Sequence, residues 1–179
     1  MPGRGDRRVF VTGPTGSGKS TLAARLAKKT GIPVYALDDL HWVRQPEGDR
    51  RRAAPERLAL LMPLVRQSAW IIEGVQFKWA SPALEAADSI VVLDPPRWRN
   101  RARLLRRFAR RRAVRSDDPR ATWRALREEW GWSNDYYREE RALLFEKLAH
   151  HRDKVTVVTE QAARFWPATR NPWHPNNYT

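Results

Sequence analysis

Residues Gly13, Pro14, Thr15, Gly16, Ser17, Gly18, Lys19 and Ser20 read G-x-x-x-x-G-K-S. This is a phosphate-binding loop pattern, set after the apolar run Val9, Phe10 and Val11 and before a helical pattern that opens at Ser20. Strand, loop and helix in that order are the context the pattern requires. Its glycines let the backbone bend so that several N–H groups converge on one polyphosphate, and the helix that follows adds its positive end. The expected nucleotide contacts are Gly13, Thr15, Gly16, Ser17, Gly18, Lys19, Ser20 and Thr21. Lys19 is placed to reach the β- and γ-phosphates of a nucleoside triphosphate, and the Ser20 hydroxyl to ligate Mg²⁺.

A phosphate loop needs acids nearby for metal and acceptor. Glu73 and Asp94 each follow apolar residues at a strand end, where the acid that orients Mg²⁺ through water stands in such folds. Asp94 precedes Pro95 and Pro96, which suits a structural turn capping a backbone N–H, so Glu73 is preferred as the metal-orienting acid or general base. Asp38 and Asp39 close the second expected strand, and Asp38 is favoured for holding an acceptor hydroxyl or a Mg²⁺-bound water. A helix cap for the next segment is the alternative. Gly74 would leave room for a substrate beside Glu73. Trp42 is assigned to the acceptor side; its neighbour His41 could line that pocket or pack locally. The four histidines show no metal spacing.

Arg103, Arg107 and Arg110 lie at i, i+4 and i+7 and share one helix face. Cations around a transferring phosphoryl group lower its barrier, so these arginines could belong to a closing lid over residues 97–120. A solvated basic face and a nucleic-acid stripe are the alternatives.

These groups must be held by a scaffold. Apolar strands are expected at residues 9–12, 34–37, 70–74, 89–93 and 155–158. Between them run helical patterns at 20–29, 55–65, 81–87, 98–111, 121–130 and 136–150. The stripe of the 98–111 helix reads Trp98, Ala102, Leu105 and Ala109, with Leu104 and Phe108 beside it; that of the 55–65 helix reads Leu58, Leu61, Met62 and Val65. Residues 42–54 read as a polar loop, and 1–8 and 171–179 as mobile tails. Nearly continuous apolar strands alternating with helices imply a parallel sheet covered on both faces. Ligands bind beyond the carboxyl ends of such strands, where the phosphate loop, Asp38, Glu73 and Asp94 all fall.

With 179 residues, one domain is expected. No cysteine is present, which excludes disulfides and thiolate metal sites. No apolar stretch is long enough to span a bilayer, so no membrane partner and a cytoplasmic location are expected. The net charge is +14, and eleven arginines fall between Arg97 and Arg120. Nine tryptophans are mostly expected as core or interface anchors, with some able to stack on bases.

The loop at 13–21, the run Ile32 to Trp42, the segment Trp70-Ile71-Ile72-Glu73-Gly74 and the run Ala87 to Trp98 resemble the adenylate-kinase-related P-loop proteins. Within them the chain is similar to the branch labelled DNA topology modulation proteins. The resemblance covers about residues 8–160 and implies a five-stranded parallel sheet of order 2-3-1-4-5, a substrate flap after the second strand and an arginine-bearing lid after the fourth. It also implies that Arg103 and Arg107, nine and thirteen positions after Asp94, contact the nucleotide and its transferring phosphate. The arginine that follows the third strand in monophosphate kinases has no counterpart in Glu73-Gly74-Val75-Gln76-Phe77-Lys78, so an AMP-type acceptor is not expected.

The resulting expectation is an α/β P-loop NTPase with helices on both sheet faces and an arginine-rich helical lid. It would be a phosphotransferase that uses MgATP and a small-molecule or nucleotide acceptor. The catalytic set would be Lys19, Glu73, Arg103 and Arg107; the acceptor set Asp38, Trp42 and Gly74; the metal set Ser20 and Glu73. A nucleic-acid-associated ATP-binding protein and a bare NTPase switching a protein partner are the rival readings.

Overall fold

The computed structural model describes residues 7–45, 48–114 and 122–159. The expected tails, apart from residues 7 and 8, and the 115–120 end of the expected lid lie outside them.

Five strands form one parallel sheet: β1 (Arg8–Thr12), β2 (Val34–Ala36), β5 (Trp70–Glu73), β6 (Ser89–Leu93) and β7 (Val155–Val158). Their order is β2-β5-β1-β6-β7. Counted among sheet strands alone, this is the expected 2-3-1-4-5 arrangement. Register is set by pairs such as Phe10 with Ile72 and Phe10 with Ile90. Alternate side chains of each strand go to opposite faces. Phe10, Ile72, Ile90 and Val92 meet Leu37, Leu61, Leu84, Leu144 and Leu148 on one face. Val9, Val11, Ile71, Val91 and Leu93 meet Leu22 and Ala23 of α1 (Lys19–Thr30) on the other. Both faces are therefore dry, as uninterrupted apolar strands demand.

Several local expectations are corrected. Arg8 belongs to β1 rather than to a tail, because the Arg7 and Arg8 amides donate to the Asp88 carboxylate at 2.9 and 2.8 Å. The second strand stops at Ala36, and Asp38 and Asp39 lie in the first turn of α2 (Leu37–His41). Acids suit the positive end of a helix, which favours this start over strand continuation. Residues 42–54 are not all loop: β3 (Trp42–Val43) pairs antiparallel with β4 (Arg50–Arg51), and Ala54 already opens α3. Two-residue strands are too short for an alternation pattern to register.

Helix α3 (Ala54–Val65) buries Arg57, Leu61 and Val65, while Leu58 is exposed. Helix α4 (Ser81–Ala86) follows β5. Helix α5 (Arg97–Val114) buries Asn100, Leu104 and Phe108, while Trp98 and Leu105 stay exposed. The inward face is thus one position off the stripe read from apolar residues alone, because a buried asparagine occupies its first turn. Leu126 of α6 (Trp123–Asp135) completes a small core with Leu104 and Phe108. A π-helical turn at Tyr136–Glu140 joins α6 to α7 (Arg141–Leu148), and a 3₁₀ segment leads into β7.

Candidate active site

The phosphate loop connects β1 to α1 at the carboxyl edge of the sheet. Gly16 sits at φ +85°, and a Cβ there would stand 2.6 Å from the Leu104 side chain. A side chain at this position would have to push the Leu104 side chain aside. Three hydrogen bonds tie α5 down: Asn100 Nδ2 donates to the Thr15 carbonyl at 2.9 Å and to Ser133 Oγ at 3.0 Å, and Arg103 Nη1 donates to the Ser17 carbonyl at 2.8 Å. The first half of α5 is therefore a wall of the loop.

Lys19 curls back to donate from Nζ to the Pro14 carbonyl at 2.9 Å. Burial lowers its pKa to about 8, against the opposing pull of Glu73 and Asp38. Ser20 Oγ donates to Glu73 Oε1 at 2.8 Å. Burial raises the Glu73 pKa, opposed by the Ser20 hydrogen bond and by Lys19. Ser17 Oγ is buried without a partner. These are hard oxygen donors and one ammonium around a bent backbone. Mg²⁺ asks for one or two protein oxygens, with phosphate and water completing its shell. Ser20 and Glu73 fit that requirement. Among the described residues no group of three or more His, Asp or Glu side chains could hold a metal by itself.

On the acceptor side, Asp38 accepts from Gln76 Nε2 and lies close enough to Lys19, Glu73 and His41 to bias the proton of each. Trp42 is half-buried with its ring edge-on to His41, centroids 4.8 Å apart. Gly74 does not open space for a substrate. A Cβ there would sit 2.6 Å from Leu37 Cβ and 2.8 Å from Gln76 Oε1, so the missing side chain admits Leu37.

Of the lid arginines, Arg103 reaches the loop and Arg107 pairs with Glu129 at 2.5 Å while still lowering the Lys19 pKa. Arg110 is exposed. Asp94 is structural in a different way from the expected cap: its carboxylate accepts Arg141 Nε at 2.9 and 3.1 Å and Tyr136 Oη at 3.3 Å. Sequence reasoning missed Asn100 and Arg57. Each lies four and eight positions before buried apolar residues of its own helix, and a polar residue in register with such a stripe is the available signal.

A family model described as an AAA domain matches residues 9–130. The chain belongs to that family. No curated protein matches it. Among solved structures, this AAA domain resembles shikimate kinase from Acinetobacter baumannii in complex with shikimate, at 19% identity and TM-score 0.53, covering 89% of this chain and 88% of that one. A gluconokinase from Sinorhizobium meliloti 1021 matches at 16% identity and TM-score 0.48, over 89% and 86%. An unliganded sugar kinase from Janibacter sp. HTCC2649 matches at 24% identity and TM-score 0.39, over 56% and 66%. The chain spans 66% and 61% of the lengths of the first two structures it matches, the sugar kinase and an uncharacterized protein from Eubacterium ventriosum. The likeness to shikimate kinase supports the P-loop kinase-like fold and nothing finer.

Proposed function

We propose that this AAA domain is an ATP-dependent kinase acting on a small hydroxyl-bearing acceptor. The observation that carries the reading is the Ser20–Glu73 hydrogen bond beside the Lys19 ammonium, with Asp38 facing the same point. The loop amides, Lys19, Ser17 and Ser20 would hold the triphosphate. Mg²⁺ on Ser20, with Glu73 behind it, would neutralise charge on the phosphate oxygens. The acceptor oxygen would attack the γ-phosphorus, its proton would pass to Asp38, and the β–γ bridging oxygen would leave with its bonding electrons on ADP. Arg103, already on the loop, and Arg107, once released from Glu129, would face the transferring group. The adenylate-kinase-related branch, supported by the motif residues, and a cytoplasmic site of action, an expectation from composition alone, are part of the same proposal. So is the extent of one domain over 1–179. Among the described residues no helix is long and apolar enough to cross a membrane.

The test is acceptor-dependent ADP release across sugars, hydroxy acids, nucleosides and nucleotides. Lys19→Ala should reduce it by about 10²-fold or more, as expected for losing a cation at the transferring group. Turnover unchanged in that variant would end the kinase reading.

A further inference from the structure

Helix α5 turns an apolar stripe to solvent. Trp98, Ala102, Leu105 and Ala109 are all exposed, because the buried face is the one that carries Asn100, Leu104 and Phe108. Where this stripe meets α6, the two helices leave a slot of about 240 Å³ lined by Leu105, Trp123, Leu126, Arg127 and Trp130. Trp123 is 68% exposed and Leu105 47%. The slot lies away from the phosphate loop, which Asn100 and Arg103 reach from other faces of α5.

Guanidiniums surround the slot. Arg101, one turn before Leu105, stacks over Trp130 at 4.9 Å. Arg112, two turns beyond Leu105, stacks over Phe108 at 5.8 Å, and Phe108 packs against Trp123 with ring centroids 4.7 Å apart. Arg127 belongs to the lining itself. Among the described residues none of these three arginines pairs with a carboxylate. Glu129 and Glu128 of α6 are engaged elsewhere, the first by Arg107 and Arg111 and the second by Arg124. Helix α5 offers nine arginines and no acid.

We infer that the α5–α6 seam docks an acidic peptide segment of a partner protein, with an apolar side chain in the slot and carboxylates on either side of it. Charge selects this occupant over a second copy of the chain, which in a two-fold contact would set guanidinium against guanidinium. The lining selects it over a nucleic acid. A base would bury its polar edges against Leu105, Leu126 and two indoles, a desolvation cost that an aliphatic or phenyl group avoids. A guanidinium stacked on a ring keeps its donors at its rim, where a carboxylate takes two of them. Along the helix axis Arg101 and Arg112 stand about 16 Å apart, a span that about five residues of extended chain cover. The apolar residue is therefore expected in the middle of a short acidic run. Nothing in this inference requires the kinase reading.

The probe is the labelled peptide Glu-Glu-Asp-Leu-Phe-Asp-Glu-Glu, titrated with the full chain and followed by fluorescence anisotropy. It is compared with the same peptide carrying Ser-Ser for Leu-Phe, with a short oligothymidylate and with vesicles of phosphatidylcholine and phosphatidylserine. The Leu-Phe peptide should bind one-to-one and more tightly than any of the others. Leu105→Asp should weaken it about tenfold or more and Arg127→Gln about fivefold, the scale of one lost anchor and one lost charge pair. Arg124→Gln removes the same charge from outside the slot and should change affinity by less than about twofold. Leu105 and Arg127 are exposed, so both variants should melt like wild type; should Leu105→Asp fail to fold, Arg127→Gln against Arg124→Gln decides. No binding, equal binding of the serine peptide, or equal losses in Arg127→Gln and Arg124→Gln would overturn the inference. So would tighter binding of the oligothymidylate or of the vesicles, since the seam would then serve a nucleic acid or a lipid surface. A wild-type dimer that Leu105→Asp converts to monomer in sedimentation would assign the seam to a second copy and overturn it as well.

Discussion

Lys19 shows how a single side chain can be costly to the fold and useful to the site. Its ammonium is buried and its pKa is lowered to about 8. The unfolded chain, at an ordinary lysine value, binds that proton more tightly. Wild-type stability should therefore be held down below pH 8 and recover as pH rises from 8 toward 10.5. Lys19→Met, which has no proton to bind, should be more stable than wild type at pH 7 by on the order of 2 kcal/mol. That gap should shrink by pH 10. Urea unfolding of both proteins at the two pH values measures it, and a variant less stable than wild type at pH 7 would refute the argument. At this scale the position of the candidate site was legible, because the loop pattern itself calls for the strand–loop–helix turn that the structure has between β1 and α1. Gly74 was not, since the side chain it makes room for, Leu37, comes from another element.

Helix α5 was legible as a helix, but not in the face it turns inward. Apolar counting placed Trp98 and Leu105 inward, yet both are exposed and Asn100 is fully buried. The reason lies in its partners. Thr15 offers a carbonyl and Ser133 a hydroxyl, so an amide fits between loop and α6 where a leucine would orphan both. Asn100→Leu should destabilise the protein by about 1–3 kcal/mol through those unsatisfied groups. It should also raise the KM for ATP several-fold, because the Thr15 carbonyl is part of the loop backbone. Thermal unfolding and initial-rate kinetics test the two effects together, and a variant that changes neither would show that α5 does not set the loop. The small hairpin β3–β4 and the early start of α2 escaped the sequence for another reason. Each is too short for periodicity, and their conformations are decided by neighbours rather than by local preference.

Across the whole molecule a parallel sheet covered on both faces was readable from apolar strands alternating with helices, while its strand order followed from the resemblance to the adenylate-kinase-related P-loop proteins. How the helical rod from Trp123 to Leu148 is fastened to that sheet was not, since it depends on pairs far apart in sequence. Asp94, at the end of β6 with its side chain 5% exposed, is clasped by Arg141 and Tyr136 from the π-helical junction. The chain carries many other arginines, and Arg124 makes a superficial contact, pairing with Glu128 one turn away with its side chain 89% exposed. Exposed pairs contribute little, whereas stripping the partner from a buried carboxylate leaves a charge with no water to solvate it. Arg141 is itself half exposed, which tempers the loss. Arg141→Met should therefore cost about 1–3 kcal/mol, and Arg124→Ala less than about 0.5 kcal/mol, although each deletes one cation from a chain of net charge +14. Denaturation of the two variants in parallel decides the matter. Equal losses would mean that bulk charge, not the clasp at Asp94, governs how the rod is held.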